Sequence, residues 1–256
     1  MTGRVVFIGA GPGAADLITV RGARRLAQAE VVLFDALTDP ALRELAPAAR
    51  WVDVGKRGFC NSTGQATIDA LLVRFASQYE RVVRLKGGDP SVFGRLEEEL
   101  LALAAAGIEC EVVPGVTAAI AAAAHTRRPL TRRGSGRSVS LATAMTREGR
   151  LQAGGPAQIR SDTEVFYMAG RQLGALGRQL LAAGWPADTP VCVVSRAGWP
   201  DALASDHALA DLAAAAVLHA RRPTVVTVGA AARPVVAAAK TTARDGAPAR
   251  ATAVTT

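Results

Sequence analysis

Three glycine-containing segments, each following a short β-rich run, carry the residues best suited to binding a ligand. They read Gly9-Ala10-Gly11-Pro12-Gly13, Arg84-Leu85-Lys86-Gly87-Gly88-Asp89-Pro90 and Pro114-Gly115-Val116-Thr117-Ala118-Ala119. Because glycine has no Cβ, a ligand can approach the backbone N–H and C=O groups of such loops closely. Loops that follow parallel strands meet at one edge of a sheet, so the sequence predicts one composite pocket.

The first loop, taken alone, fits a dinucleotide-binding fingerprint. Gly9, Gly11 and Ala14 occupy its three glycine positions. Asp35 ends the next strand, where an acid would bind a ribose. A nicotinamide-dependent oxidoreductase is therefore one interpretation, although Pro12 stiffens the loop and a dinucleotide fold does not require the second glycine loop. A simple tight-turn role for the glycines is a further alternative, and the presence of both loops disfavours it.

Length and composition indicate a folded protein with a sizeable core. The chain has 256 residues, of which 50% are hydrophobic and 20% charged. The apolar stretch from Val112 to Ala124 is broken by Pro114 and Gly115, and it falls short of the roughly 18 to 20 residues that a membrane span requires. The first residues run straight into a predicted strand without a signal-peptide pattern. We expect a cytoplasmic protein that does not enter the membrane.

The positive charge raises the question of a nucleic-acid partner. The net charge is +8 and the sequence pI is about 10.4, which would suit a basic nucleic-acid-binding module. The basic residues are dispersed and aromatic residues make up only 4% of the chain, which leaves little for bases to stack on. A polyanionic small substrate or a solvated surface explains the charge as well, and we expect no nucleic-acid partner.

Cysteines and histidines are scattered, so the sequence predicts neither disulfides nor a metal site. None of them forms a CxxC pair or a set with ligand spacing; they are Cys60, Cys110, Cys192, His125, His207 and His219.

Short Val-rich runs alternate with helical patterns in the first 130 residues. Strands are predicted at Val5–Ile8, Glu30–Phe34, Arg50–Val54, Arg81–Leu85 and Glu109–Val113. Helices are predicted at Arg21–Ala29, Pro40–Leu45, Thr67–Ser77, Glu97–Ala106 and Ala118–Ala124. This alternation predicts a mostly parallel α/β sheet.

A basic, turn-rich stretch from Thr126 to Gly136 then interrupts the pattern and predicts a domain boundary. Beyond it a second α/β series follows. Its strands are predicted at Ser138–Thr143, Thr163–Met168, Pro190–Ser195 and Thr224–Gly229, and its helices at Gln172–Ala183 and Ala208–Ala216. We therefore predict domains at residues 1–130 and 131–231, followed by a disordered tail at 232–256.

Several motifs, in chain order, resemble those of the tetrapyrrole methylases. They are GAGPG with Asp35 after the second strand, VGKR at 54–57, VVRLKGGDPSVFGR at 82–95, VVPGVTAA at 112–119, PLT at 129–131 and FYM at 166–168. The resemblance extends from about Val5 to Gly229. RLKGGDP together with VGKR is typical of the branch that methylates uroporphyrinogen III twice to give precorrin-2, rather than of the enzymes that act on later precorrins.

The resemblance implies two α/β domains with the active site in the cleft between them, S-adenosyl-L-methionine as methyl donor, an anionic tetrapyrrole substrate and a homodimer. It implies that Asp35 accepts a proton and that Lys56 donates one. It also implies that the donor contacts Pro12, Gly87, Gly88, Asp89, Val92, Thr117, Ala118, Met168 and Ala197.

The substrate of that reaction carries eight carboxylates, which the planar guanidinium of arginine pairs with well. The arginines expected near the cleft are Arg84, Arg95, Arg132 and Arg133. The chain departs from the family pattern at several positions, most of them on the expected substrate side, including residues 36, 61 and 96. Ala36 stands where the family usually has Arg, Asn61 where it has His after VGKR, and Leu96 where it has Gly.

Overall fold

Two five-stranded sheets organise the chain, one in each half. The computed structural model describes residues 3–55, 64–144 and 160–235. Lys56 and Asn61 lie outside these described residues, and so does the expected tail from residue 236 onward. The predicted α/β fold is confirmed.

The first sheet is entirely parallel. Its strands are β1 (Arg4–Gly9), β2 (Val31–Phe34), β3 (Arg50–Asp53), β4 (Arg81–Lys86) and β5 (Cys110–Val113). They lie in the order β3-β2-β4-β1-β5, and every pairing is parallel. All five strands begin and end within one or two residues of their predicted bounds. The loops that follow them therefore leave the sheet at a single edge.

Helices cover both faces of this sheet. They are α1 (Val20–Leu26), α2 (Gln65–Ala76), α3 (Leu96–Ala105) and α4 (Ala118–Thr126), with 3₁₀ turns at Ala15–Leu17 and Pro40–Leu45. Side chains alternate along a strand, and in β1 Val5 and Phe7 pack on the side of α2 and α3. Val6 and Ile8 pack on the opposite side, which includes α1. Two buried faces explain why the strands are nearly continuous runs of apolar residues.

The second sheet is mixed rather than parallel. Its strands are β6 (Val139–Thr143), β7 (Thr163–Tyr167), β8 (Pro190–Ser195), β9 (Leu203–Ala208) and β10 (Thr224–Gly229). They lie in the order β6-β7-β10-β8-β9, and only β6 and β7 pair in parallel. Its helical segments are α5 (Leu173–Ala182), α6 (Ala215–Leu218) and 3₁₀ turns at Leu209–Ala214 and Ala230–Ala232.

Two features of the second half differ from the sequence-based expectation. Strand β9 was not predicted, because Leu203–Ala208 is a partly exposed edge strand without a β-branched residue. The expected tail boundary at residue 232 is also too early. Ala231 and Ala232 are 1% and 2% exposed, and the Ala232 carbonyl accepts a hydrogen bond from Arg128 Nη1 at 2.7 Å. The folded part therefore includes Ala232.

No helix in the described ranges is long and apolar enough to cross a membrane.

Candidate functional site

The three glycine loops meet backbone to backbone at the carboxyl edge of the parallel sheet. Gly88 N donates to Gly11 O at 2.7 Å, and Gly11 N donates to Gly88 O at 3.3 Å. A Cβ on Gly9 would lie 2.5 Å from Gly115 Cα, and a Cβ on Gly115 would lie 2.3 Å from Gly88 O. No side chain fits at either distance, so the contact between the loops requires glycine at both positions.

Asp89 ties two of these loops together. Its Oδ2 accepts from Gly115 N at 2.8 Å, and its Oδ1 accepts from the backbone N–H of Ser91 at 2.8 Å and from the Ser91 hydroxyl. Both carboxylate oxygens thus have protein donors, and the side chain is 9% exposed. Asp89 holds the geometry of the loops and also places a negative charge in the wall of the site.

The loops enclose one side of a cavity of about 210 Å³, and the second sheet supplies the other side. All nine residues predicted to contact the methyl donor line it, namely Pro12, Gly87, Gly88, Asp89, Val92, Thr117, Ala118, Met168 and Ala197. The wall is mostly apolar, with a few polar groups, as in most small-molecule sites.

Contacts between the two halves fix the far wall of this cavity. Ala14 N donates to Gly198 O at 2.7 Å. Gly198 has a φ of +86°, and a Cβ there would lie 2.9 Å from the ring of Pro12. Met168, at the end of β7, also has a positive φ of 59°, and it is 47% exposed at the cavity. The loop after β8 thus packs directly against the first glycine loop.

Tyr167 is a site residue that sequence reasoning missed. Its hydroxyl lies 2.7 Å from Thr117 Oγ1 and accepts from Ala119 N at 3.3 Å. Its ring lies 5.0 Å from that of Phe93, centroid to centroid. Burial raises the pKa of Tyr167, so the hydroxyl stays protonated at neutral pH. Tyr167 therefore holds the start of α4 against the second sheet, and its place beside Met168 in FYM was the available signal.

Replacing Tyr167 with Phe should weaken donor binding more than it destabilises the fold. The ring and its contact with Phe93 remain, whereas the start of α4 loses two hydrogen bonds that position Thr117 and Ala118. A typical hydrogen bond contributes about 0.5 to 1.5 kcal/mol, so the dissociation constant of S-adenosylhomocysteine should rise by roughly 3- to 10-fold. Calorimetry measures this. An unchanged dissociation constant would contradict the role given to the hydroxyl.

Asp35 lies beside the second glycine loop, in contact with Gly87, which lines the cavity. Its Oδ1 accepts from Arg84 Nη2 at 2.6 Å, and its Oδ2 accepts from Gly87 N at 3.3 Å. Its own N–H donates to Leu85 O at 3.2 Å, which continues the pairing of β2 with β4. The side chain is 32% exposed. Gly87 lines the cavity, so a partly exposed carboxylate stands next to it.

Arg84 does not have the environment expected of a substrate-binding residue. Its side chain is only 3% exposed, and its Nε donates to Glu99 Oε1 at 2.8 Å. Its Nη1 donates to Leu85 O at 3.2 Å, and its Nη2 to Asp35. All three guanidinium nitrogens bond to protein groups, which disfavours pairing with a substrate carboxylate; that role of Arg84 stays a prediction.

The structure does not bring the other three predicted arginines together at the cavity. Arg95, the residue just before α3, pairs with Glu98 at 2.7 Å on the surface. Arg132 donates to the carbonyl of Arg233, and Arg133 is exposed in the segment between the two sheets. Among the described residues that line the cavity, none is one of these arginines. Lys56 lies outside the described residues.

Arg196 and Trp199 supply a cation and an aromatic ring that sequence reasoning did not assign to the site. Both line the cavity, with the Arg196 guanidinium 4.4 Å from the ring centroid of Trp199. Asp201 fixes this pair, because its Oδ1 accepts from Arg196 Nε at 2.8 Å. A tryptophan in the loop after a Val-rich strand was the only signal in the sequence.

No group of three or more His, Cys, Asp or Glu side chains in the described ranges is arranged to hold a metal ion.

A parallel α/β sheet whose glycine loops face a second, mixed sheet across an apolar cavity defines an α/β protein that binds a small molecule at its strand ends. The sequence model of the Tetrapyrrole (Corrin/Porphyrin) Methylases matches residues 4–213. The chain belongs to this family.

Individual relatives agree with this assignment. A uroporphyrinogen-III C-methyltransferase of Pseudomonas aeruginosa is 44% identical over 197 residues, which cover 77% of this chain and 80% of the relative. A siroheme synthase of a Psychrobacter species is 41% identical over 214 residues, and the chain spans only 44% of that longer protein.

Solved structures share the architecture as well. Uroporphyrin-III C-methyl transferase from Thermus thermophilus, complexed with S-adenyl homocysteine, is 36% identical and superimposes with a TM-score of 0.77, covering 89% of this chain and 97% of that one. A cobalt precorrin-4 methyltransferase is 29% identical with a TM-score of 0.77, covering 90% of this chain and 96% of that one.

Proposed function

We propose that this chain transfers methyl groups from S-adenosyl-L-methionine to uroporphyrinogen III, and that two successive C-methylations give precorrin-2. The observation that carries the proposal is the convergence of three glycine loops on one cavity lined by all nine residues expected to hold the donor. A similar protein named for this reaction and a similar structure complexed with S-adenyl homocysteine support it.

The donor fits the chemistry of the cavity. Gly87 and Gly88 have no side chains, so the donor can approach their backbone closely. Their N–H groups already bond to Asp35 and Gly11, which leaves carbonyl oxygens to accept from the amino group of a methionine moiety. Asp89 contributes negative charge suited to a sulfonium cation, and Met168 offers a soft, polarisable contact. The mostly apolar remainder of the wall suits the adenosine.

The proposed reaction consists of a methyl transfer followed by the loss of a proton. A nucleophilic ring carbon of the substrate attacks the donor methyl in line, the methyl–sulfur bond breaks, and its electron pair stays on sulfur as a neutral thioether. The positive charge passes to the tetrapyrrole and is removed when a proton leaves it. Because the sulfonium charge is lost in the transition state, alignment and exclusion of water are the main contributions.

Asp35 is the group we propose to accept that proton. It is a partly exposed carboxylate held by Arg84 and by the cavity-lining Gly87, at the same edge of the sheet as the donor loops. The proposed proton donor, Lys56, and a homodimer both stay predictions.

On the substrate side, cationic groups would meet the eight carboxylates of the tetrapyrrole. Arg196 lines the cavity itself, so we add it to Arg95, Arg132 and Arg133 as candidates. The net charge of +8 favours approach of a polyanion over the whole surface.

Two measurements test the proposed function. Calorimetry should show that the protein binds S-adenosylhomocysteine but neither NAD nor NADP, because its family and a similar structure point to that donor. Incubation with S-adenosyl-L-methionine and uroporphyrinogen III should give products whose masses increase by one and then two methyl groups.

Other outcomes would assign the protein elsewhere. Binding of a nicotinamide nucleotide alone would favour the oxidoreductase. Methylation of a different tetrapyrrole would keep the family and change the substrate. Salt-dependent affinity for RNA or DNA without nucleoside binding would favour a nucleic-acid-binding module.

A further inference from the structure

Four charged side chains form a continuous network beneath the second glycine loop. Arg84 connects Asp35 to Glu99, and Glu99 Oε2 accepts from Lys86 Nζ at 2.5 Å. The side chains of Arg84 and Lys86 are each 3% exposed and that of Glu99 is 1% exposed. Two cations and two anions balance, so the network is neutral as a whole.

Burying these charges is costly unless each has partners, so the arrangement requires an explanation. Arg84 and Lys86 are two residues apart on β4, and both side chains point to the face of the sheet that α3 covers. Lys86 also packs tightly under the loop that follows, since a Cβ on Gly94 would lie 3.1 Å from Lys86 Cε. A packed apolar pair at these positions would serve stability alone equally well.

Of the four side chains, Asp35 is the one that contacts a residue lining the cavity, Gly87. It is 32% exposed, whereas the others are buried. The guanidinium of Arg84 is planar, so an acceptor at Nε fixes the direction in which Nη2 points. Glu99 is that acceptor, at 2.8 Å. Nη2 in turn donates to Asp35 Oδ1 at 2.6 Å.

We propose that Glu99 and Lys86 are positioning residues for the chemical step. Glu99 orients Arg84, Arg84 holds the Asp35 carboxylate next to the cavity-lining Gly87, and Lys86 neutralises the charge that Glu99 would otherwise leave buried. This inference rests on the proposed role of Asp35 as proton acceptor. Burial and the charge of the nearby Arg84 lower the pKa of Lys86, whereas Glu99 raises it. The charged form of Lys86 therefore depends on Glu99.

Two double variants separate positioning from charge and stability. Lys86→Met with Glu99→Gln removes one cation and one anion, and the Gln carbonyl oxygen can still accept from Arg84 Nε. Lys86→Met with Glu99→Met makes the same change in charge and leaves Arg84 Nε without an acceptor. Because displacement of a catalytic group by about 1 Å can cost roughly 100-fold, the Met variant should turn over about 10- to 100-fold more slowly than the Gln variant at saturating donor.

Donor affinity, measured by calorimetry, should be the same in both double variants, because neither substitution touches the wall of the cavity. Glu97→Gln is the matched control, since Glu97 is exposed in the first turn of the same helix, and it should retain the wild-type turnover. If the Met variant does not fold, Lys86→Met with Glu99→Leu replaces it. Leu also leaves Arg84 Nε without an acceptor, and turnover should fall by the same factor.

Crystal structures of the donor-bound variants give a readout that needs no tetrapyrrole. The contact between Asp35 and Arg84 should persist in the Gln variant and be lost or displaced in the Met variant. Equal turnover of the two variants, or the same contact in both structures, would overturn the positioning role. If the wild-type protein does not methylate uroporphyrinogen III, the proposed function is overturned instead. The crystal structures of the two double variants would still test whether Glu99 positions Arg84 and Asp35.

Discussion

Asp35→Asn should abolish most of the turnover while donor binding remains intact. The amide keeps the size of the side chain and an oxygen that can accept from Arg84, but it cannot take up a proton. General acid–base groups typically contribute about 10²- to 10⁴-fold to the rate, and turnover should fall within that range. The measurement is product formation by mass at saturating donor and substrate.

The stability of this variant should fall moderately, which must be separated from the kinetic effect. Loss of the Asp35 charge leaves Arg84 and Lys86 facing Glu99 alone, and a hydrogen bond to a charged group contributes about 1.5 to 3 kcal/mol. Turnover is therefore measured well below the melting temperature, on protein that still binds S-adenosylhomocysteine. Asp188→Asn, an exposed substitution in the second half, controls for the chemical change. Near-normal turnover of Asp35→Asn would contradict the proposed role.

The cavity could be predicted from sequence because its residues lie at strand ends. Gly9, Gly88 and Gly115 each follow a Val-rich strand, and parallel strands deliver the loops that follow them to one edge. The residues from the second half could not be placed by that argument, because β7 and β8 belong to a mixed sheet. Met168 and Ala197 were assigned only through the family resemblance.

The burial of Arg84 was not predicted, because the sequence does not show which residues lie opposite a strand. Arginine in a motif next to a glycine loop is typical of anion binding, and its actual partner, Glu99, lies 15 residues further along the chain. A signal for the burial of Glu99 was nevertheless present. Leu96, Glu99 and Leu103 follow the spacing of one helix face. A carboxylate on that face requires a buried cation, and β4 supplies two.

The backbone at Ala36, where the chain departs from the family pattern, packs closely against the chain that follows β3. A Cβ on Gly55 would lie 2.1 Å from Ala36 N, so the chain after β3 runs directly against the residue that follows Asp35. Ala36 also lines a separate cavity of about 170 Å³ together with Arg43 and Trp51. The backbone on both sides of Asp35 is thus closely packed, even though the position lacks the usual arginine.

Gly115→Ala should have the largest effect on donor binding of any single methyl group added to this protein. The new Cβ would lie 2.3 Å from Gly88 O and 2.7 Å from Gly9 Cα. Neither contact involves a flexible side chain that could move aside, so the loops themselves must separate. Gly115 N would then lose its bond to Asp89, and the paired backbone of Gly11 and Gly88 would shift with it.

Overpacking of this kind costs about 1 to 3 kcal/mol of stability. Loss of two or so backbone hydrogen bonds to the donor, at about 0.5 to 1.5 kcal/mol each, should raise the dissociation constant of S-adenosylhomocysteine by roughly 10- to 100-fold. Gly174→Ala is the matched control, because a Cβ in that helix would lie 3.4 Å from the nearest atom, an ordinary contact. It should leave donor affinity unchanged and gain about 0.5 to 1 kcal/mol of stability. If Gly115→Ala is folded by circular dichroism and binds the donor normally, the three loops do not form the donor site.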